Sequence, residues 1–247
     1  QYNAIAGPLL AISKQLQKSL LRQLQDRRRG GKQTGLLMGR RLDAHALYRR
    51  DGKVFCRNKL PQQRPEMAVA LLLDESGSMS GSRAAYARAS AIILYDFCQA
   101  LDIPILVYGH STKGESVALY AYSEFDAIDQ NDRYRLVDIS ARGSNRDGAA
   151  LRFVAERLCK RPEELKLLIL VSDGQPAHTG YFGAAAEEDL RGIHQEYRRK
   201  GIHLVAAAIG EDKEAIERIY GDAFLDITDL HQLPVKLTQA VKNFLRV

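Results

Sequence analysis

Short oxygen-bearing side chains follow an apolar segment of the chain, and their spacing suits a cation. Asp74, Ser76 and Ser78 occupy alternate positions directly after the apolar run 67–73. In a tight turn these three side chains can converge on one point, and Gly77 permits the backbone geometry that such a turn needs. Carboxylate and hydroxyl oxygens are the ligands that Mg²⁺ and similar hard cations prefer. The pattern therefore predicts part of a metal site.

A second apolar run, 165–171, also ends in a carboxylate, since Ser172 and Asp173 follow it. Uncharged runs of this length are typical of strands buried on both faces of a parallel sheet. The carboxyl ends of parallel strands share one edge, which is where α/β sheets bind ligands. We therefore expect Asp173 to approach Asp74. The alternative, that Asp74 and its serines only cap a helix beginning near Ser82, explains one of the three residues and leaves the second run unexplained.

Apolar runs and helical patterns alternate from residue 67 onward, and this order predicts the fold. Helical patterns cover 83–100, 146–158, 184–199, 213–220 and 233–245, and strand-like runs cover 67–73, 103–108, 116–122, 165–171, 202–209 and 224–227. The alternation implies right-handed crossovers and a doubly wound, mostly parallel α/β sheet with helices on both faces. The run 116–122 alternates in hydropathy as an edge strand does.

Residues 1–66 differ from the rest in charge, and we expect them to form a basic N-terminal arm before a main domain at 67–247. The arm holds 15 Lys and Arg against 4 Asp and Glu, and the main domain holds 21 against 26. A nucleic-acid partner is one interpretation, but the arm has no zinc-finger pattern and few aromatics, which favours a solvated or protein-facing arm. Its predicted elements are a helix at 8–28, a loop at 34–41, a short helix at 44–48 and a strand at 53–57.

Composition narrows the class of protein. No apolar run approaches the roughly 18 residues of a membrane span, and no signal peptide is visible. Cys56, Cys98 and Cys159 are scattered and form no CxxC pair, which favours free thiols in a reducing cytoplasm. The chain starts at Gln1 and not at a methionine, so we expect it to be a fragment of a longer protein.

The two carboxylate loops resemble those of a known family. Asp74-x-Ser76-x-Ser78 is similar to the opening of the metal-ion-dependent adhesion site of von Willebrand factor A domains, and the Asp173 loop matches the third loop of that site. The resemblance implies a divalent cation, Mg²⁺ or else Mn²⁺ or Ca²⁺, bound by residues of three loops. In this sequence its ligands would be Asp74, Ser76, Ser78, Asn145 and Asp173.

The second loop departs from the family pattern. The family often reads Gly-Gly-Thr-x-x-Gly-x-Ala-Leu there, and the ungapped match to 143–151 puts Asn145 in the threonine position. Asn145 could coordinate through its carbonyl oxygen. Ser144 or Asp147 could serve instead, directly or through water. Asp147 would make the site more negative and less dependent on a carboxylate from a partner.

A narrower resemblance connects the chain with cobaltochelatase CobT subunits and, equally, with nitric oxide reductase activation proteins of the NorD type. It is carried by the segments 39–44, 54–57, 145–152 and 172–176. The resemblance implies a non-catalytic module, in one branch a subunit of an ATP-dependent chelatase. It would work with a MoxR-type AAA+ ATPase on a third protein, and could join an oligomer through the ATPase ring. Both branches remain open.

A metal-dependent hydrolase and an extracellular adhesion domain are the two alternative functions. A hydrolase could use the metal to activate water, but no base is recognisable and the ligands are rich in hydroxyls. An extracellular adhesion domain would be expected to carry a signal and paired cysteines. Tyr181 and Phe182 could contact a partner or tuck under the following helix. His110 and His178 could approach the site, although satisfied loop histidines are favoured.

Overall fold

A computed structural model describes residues 2–28, 32–39, 41–48, 51–58, 67–126, 131–174, 176–209 and 213–245. Contacts divide the chain into two compact units, one of Gln1–Ser19 with Glu66–Val247 and one of Leu20–Pro65. The first part of the long helix α1 (Tyr2–Arg28) therefore groups with the larger unit. There the hydroxyl of Ser13 donates a hydrogen bond of 2.6 Å to Asp96.

Helix α1 begins earlier than the predicted residue 8 and continues through Pro8. Proline inside a helix removes one backbone hydrogen bond. Packing near the N-terminus offsets that loss, because the ring of Tyr2 stands edge-on to the ring of Tyr134 at 5.5 Å. The amphipathic pattern thus located the helix but missed its first two turns.

The smaller unit contains a three-stranded antiparallel sheet in the order β1-β3-β2. Its strands are β1 (Lys32–Leu36), β2 (Arg41–Leu42) and β3 (Phe55–Asn58), with one 3₁₀ turn at Ala44–Ala46. The predicted loop at 34–41 is therefore wrong in part, because β3 supplies backbone partners on both sides. Gly39 lies so close to β3 that a Cβ there would stand 3.1 Å from the Cβ of Phe55.

The larger unit is built on a six-stranded sheet that confirms the predicted fold class. Strand order is β11-β10-β7-β4-β5-β6, and every pair is parallel except β5 with β6. The elements are β4 (Met67–Asp74), α2 (Ser82–Ala100), β5 (Ile105–Lys113), β6 (Ser116–Ser123), α3 (Asp132–Arg135), α4 (Asp147–Cys159), β7 (Leu165–Ser172), β8 (Ala177–His178), β9 (Tyr181–Phe182), α5 (Gly183–Arg199), β10 (Ile202–Ala208), α6 (Lys213–Tyr220), β11 (Phe224–Asp226) and α7 (Leu233–Leu245).

The central strands are covered on both faces, as their uncharged sequences require. Every residue of β4 is buried. Ala68, Ala70 and Leu72 belong to one core cluster with buried side chains of α4, α5 and α6. The intervening residues of β4 point to the opposite face, since side chains alternate along a strand. Strands β4 and β7 lie at the centre of the sheet, so their carboxyl ends are adjacent.

Strand β5 is longer than predicted, and the reason lies at Gly109, which was expected to end it. A Cβ at Gly109 would stand 1.9 Å from Oε1 of Glu75. Glycine here makes room for a neighbouring carboxylate, and the strand continues to Lys113.

The hairpin of β8 and β9 lies in the segment predicted as a loop after the third motif, and α3 was also not predicted.

Candidate metal centre

The first loop leaves the sheet at Asp74, the last residue of β4. The backbone N–H of Ser76 donates 2.8 Å to Oδ1 of Asp74, and the hydroxyls of Ser76 and Ser78 lie 2.9 Å apart. Helix α2 has Gly81 at its N-cap and receives no side-chain cap there. The loop therefore folds on itself and does not cap the helix, so the capping alternative is wrong.

The third loop meets the first at its two carboxylates. The hydroxyl of Ser172 donates 3.2 Å to Oδ2 of Asp74, and the hydroxyl of Ser78 donates 3.1 Å to Oδ1 of Asp173. Asp173 is 5% exposed. Two separate strand ends, β4 and β7, thus bring Asp74, Ser76, Ser78 and Asp173 together at one edge of the sheet.

The second loop places Asn145 against the carboxylate of Asp74. Nδ2 of Asn145 donates 3.1 Å to Oδ2 of Asp74 and lies 3.5 Å from Oδ2 of Asp147. Asn145 and Asp147 are buried, whereas Ser144 is exposed. The edge of the sheet formed by the three loops at 74–78, 143–147 and 172–174 is called the rim, and Ser144 lies on it. The amide of Asn145 therefore holds Asp74, and Ser144 is the residue of this loop that faces solvent.

Backbone hydrogen bonds join the loops to one another. The N–H of Gly77 donates 2.6 Å to the carbonyl of Gly143, and Thr112 N–H donates 2.8 Å to the carbonyl of Ser144. Gly143 must lack a side chain, because a Cβ there would stand 2.3 Å from the carbonyl oxygen of Thr112. The rim is thus assembled by main-chain contacts that involve no candidate ligand side chain.

His110 was expected to be a satisfied loop histidine, and this is wrong. It lies in β5 opposite Asp74 in the strand register, with no exposed surface. Its Nε2 stands 3.2 Å from Oδ1 of Asp147, without the alignment of a hydrogen bond. Burial alone would lower the pKa of His110, but the carboxylates of Asp147, Asp74 and Glu75 raise it. A histidine near the end of the neighbouring central strand was the signal available in the sequence.

The charge on Asp74 is poorly balanced by its surroundings. Burial, followed by the nearby carboxylate of Asp147, raises the pKa of Asp74 to about 6, while His110 and the hydrogen bonds from Ser76 lower it. Its hydrogen-bond donors, on Ser76, Asn145 and Ser172, are neutral. A cation at the rim would stabilise the ionised carboxylate.

The donor atoms fit a small hard cation. The oxygen–oxygen separations of 2.9 and 3.1 Å along Ser76, Ser78 and Asp173 compare with about 3 Å between adjacent ligands of octahedral Mg²⁺ bound at about 2.0–2.1 Å. Ser78 and Gly77 are exposed, so the cluster opens to solvent. Among the described residues, no three His, Cys, Asp or Glu side chains are placed to hold a metal ion. A cation here would therefore depend on the serine hydroxyls.

The two aromatic residues of β9 have different surroundings. The hydroxyl of Tyr181 donates 2.8 Å to Asp189, and burial and this carboxylate raise the pKa of Tyr181. It packs against the start of α4, where a Cβ on Gly148 would stand 2.4 Å from the Tyr181 hydroxyl. Phe182 is 66% exposed. Tyr181 is therefore partly tucked in and Phe182 faces solvent, while His178 of β8 lies half-buried.

Comparison with known proteins decides the family. Residues 68–233 match the von Willebrand factor type A domain. The chain belongs to this family. Domains of the family often bind a divalent metal and are generally non-catalytic. The vWF domain of the type V pili tip protein Mfa5 from Porphyromonas gingivalis has the same fold, with a TM-score of 0.51 and 12% identity over 73% of this chain and 95% of that one.

Relatives of this vWA chain include longer proteins. The uncharacterized protein PA0525 of Pseudomonas aeruginosa is 31% identical over 201 residues, which are 75% of this chain and 32% of that protein. Protein NorD of Brucella melitensis is 33% identical over 95 residues, 37% of this chain and 15% of NorD, which supports a NorD-like relationship. The chain spans about a third of the length of the curated relatives that it matches over most of its own sequence. None of its described helices combines the length and hydrophobicity needed to cross a bilayer.

Proposed function

We propose that this vWA chain is a divalent-cation-dependent protein-binding module that works with a MoxR-type AAA+ ATPase in the cytoplasm. In this role it would help to activate or metallate a third protein, as expected from its resemblance to NorD and CobT. The likeness to NorD supports the proposal. Support also comes from its family, whose members are generally non-catalytic.

The observation that carries the proposal is an edge of oxygens that opens to solvent at Ser78 and lies above a buried carboxylate. Ser76, Ser78 and Asp173 form that edge, and Asp74 beneath them is 1% exposed. Such a cluster offers a cation few full negative charges. Its charge is better completed by a carboxylate from outside than by the protein alone.

The residues have separate roles in this proposal. Ser76 and Ser78 would hold Mg²⁺ directly, with Asp74 and Asp173 acting directly or through water. The second loop would complete the set through Asn145, Ser144 or Asp147. When bound, the cation supplies positive charge that an acidic side chain of the ATPase partner can bind. Asn145 and Ser172 meanwhile keep Asp74 oriented through their hydrogen bonds.

A binding role is supported over hydrolysis by the position of His110, the histidine in register with Asp74. His110 has no exposed surface, so it cannot reach a water molecule or substrate at the rim. General bases act within hydrogen-bond distance of the proton they remove. Phe182, which is exposed and directly precedes α5, is proposed as an additional partner contact.

The test compares two exposed serines of the first loop. Ser78→Ala removes a candidate ligand, and Ser80→Ala removes a hydroxyl two residues further along. We expect wild type and the Ser80 variant to capture the MoxR-type ATPase of the same organism with Mg²⁺ but not with EDTA. Capture by Ser78→Ala should fall at least about tenfold, roughly 1.4 kcal/mol. Equal capture by all three proteins in EDTA would contradict the proposal.

A further inference from the structure

Arg83, a residue that the sequence did not single out, reaches into the candidate site. Its Nη1 donates 2.7 Å to Oδ2 of Asp173 and 3.1 Å to the carbonyl of Ser78. The side chain of Arg83 is 33% exposed, whereas that of Asp173 is 5% exposed. The guanidinium therefore lies on the solvent side of the cluster, where it pairs with Oδ2 of Asp173.

Arg83 lies at the start of α2, an electrostatically unfavourable position for its positive charge. It is the second residue of α2, where the partial positive charge of the helix N-terminus disfavours a cation. The ion pair with Asp173 offsets that unfavourable position. An anion that approaches from solvent could attract the guanidinium away from Asp173 and from the Ser78 carbonyl, which both accept hydrogen bonds from its Nη1.

Arg83 and a metal ion compete for the same negative charge. One oxygen of Asp173 accepts from Ser78 and the other from Arg83. An arginine keeps its charge at every pH at which proteins fold. A divalent ion bound among the hydroxyls would therefore meet a fixed positive charge a few ångströms away, and their repulsion lowers cation affinity.

We propose that Arg83 is a tethered counter-ion that keeps the cation affinity of the free vWA domain low until a partner carboxylate engages the guanidinium. This rests on the proposed function and deepens it. The partner then needs two neighbouring acidic groups, one for the cation and one for Arg83. Cation binding and partner binding become mutually dependent, because each removes an unfavourable charge contact for the other.

The experiment measures Mn²⁺ binding by the free protein and then capture of the MoxR-type ATPase at saturating Mn²⁺. Arg83→Gln should bind Mn²⁺ about tenfold more tightly than wild type, because a nearby positive charge is gone. The same variant should capture the ATPase several-fold less well. Arg83→Lys, which keeps the charge, should stay near wild type in Mn²⁺ affinity. Arg218→Gln, which breaks an exposed ion pair with Glu187, is the matched control and should change neither.

The opposed signs distinguish this role from a structural one. If Arg83 only positioned Asp173, then Arg83→Gln would weaken both Mn²⁺ and ATPase binding, and the inference would be overturned. Unchanged Mn²⁺ affinity in Arg83→Gln would also overturn it, and thermal unfolding establishes that the variant is folded. If neither wild type nor either Arg83 variant binds Mn²⁺, the proposed function itself fails. If Ser78→Ala loses Mn²⁺ but Arg83→Gln is unaffected, only the present inference fails.

Discussion

Asp74 and Glu75 are adjacent in the chain and equally buried, at 1% exposure each, yet only Glu75 accepts a hydrogen bond from a charged side chain. Nε of Arg142 donates 2.6 Å to Oε2 of Glu75, and the hydroxyl of Tyr122 donates to Oε1. The guanidinium of Arg142 also stands 4.1 Å over the ring of Tyr120. Glu75 thus has a positively charged partner, and its carboxylate occupies space that is open because Gly109 has no side chain.

Asp74 has no such counter-charge among its hydrogen-bond donors, which are a backbone N–H, an amide and a hydroxyl. Removing the charged partner of a buried carboxylate is destabilising, and a buried carboxylate without such a partner costs free energy unless a charge arrives from outside. Under the proposed function, the Asp74 pocket is kept for a ligand, whereas Glu75 is paired within the protein by Arg142.

The largest effect is expected from filling the Glu75 pocket. Gly109→Ala would place a Cβ 1.9 Å from Oε1 of Glu75 and 3.0 Å from the ring of Tyr122. Overpacking of this kind, which also displaces a buried carboxylate, should lower the free energy of unfolding by about 3 kcal/mol. Gly192→Ala in α5, where nothing lies within 4 Å of the added Cβ, is the control and should stabilise by up to about 1 kcal/mol. Urea denaturation measures both, and equal midpoints for the two variants would contradict the role of Gly109 in making room for Glu75.

Removing one charge from each pocket should change the stability by different amounts. Glu75→Gln leaves Arg142 and Tyr122 without their charged acceptor and should cost about 2 kcal/mol of stability. Asp74→Asn, measured in EDTA, sets an amide N–H₂ against one of the donors on Ser76, Asn145 or Ser172 but removes an unbalanced buried charge, so its net cost should stay below about 1 kcal/mol. Stability in added Mg²⁺ should rise for wild type but not for Asp74→Asn. A loss of about 2 kcal/mol in both variants in EDTA would show that the two pockets are alike.

The pH dependence of stability gives the smallest effect. The pKa of Asp74 is raised to about 6 by burial and by Asp147, so the folded protein binds the proton more tightly than the unfolded chain. The associated stability is fully present below the unfolded pKa, near 4, and is lost as pH rises through about 6. In EDTA, wild type should lose about 1 kcal/mol more than Asp74→Asn between pH 5 and pH 7. Parallel pH profiles for the two proteins would count against the unbalanced charge.

The sequence was sufficient for the fold and for the meeting of the first and third loops. Strand ends in a parallel sheet share an edge, so Asp74 and Asp173 could be placed together from two apolar runs alone. Their function as metal ligands, with Asn145, remains a prediction. So does the division into an arm and a main domain, although contacts group residues 1–19 with the larger unit.

The charged partners could not be predicted in the same way. Arg83 lies 90 residues from Asp173 in the chain, and Arg142 lies 67 residues from Glu75. Periodicity shows which face of an element is buried, but it does not select one distant arginine among many. His110 was missed for a related reason, because the end of β5 was placed at Gly109 and a histidine beyond a strand end looks solvated.

The main-chain links between the loops have a consequence for binding itself. Gly77 and Thr112 are hydrogen-bonded to the 143–144 segment through main-chain atoms. Association at this rim should therefore proceed as rigid-body docking, with little entropy lost to loop ordering. Calorimetry should then record a heat-capacity change that reflects only the area covered by the partner, without the additional term of coupled folding.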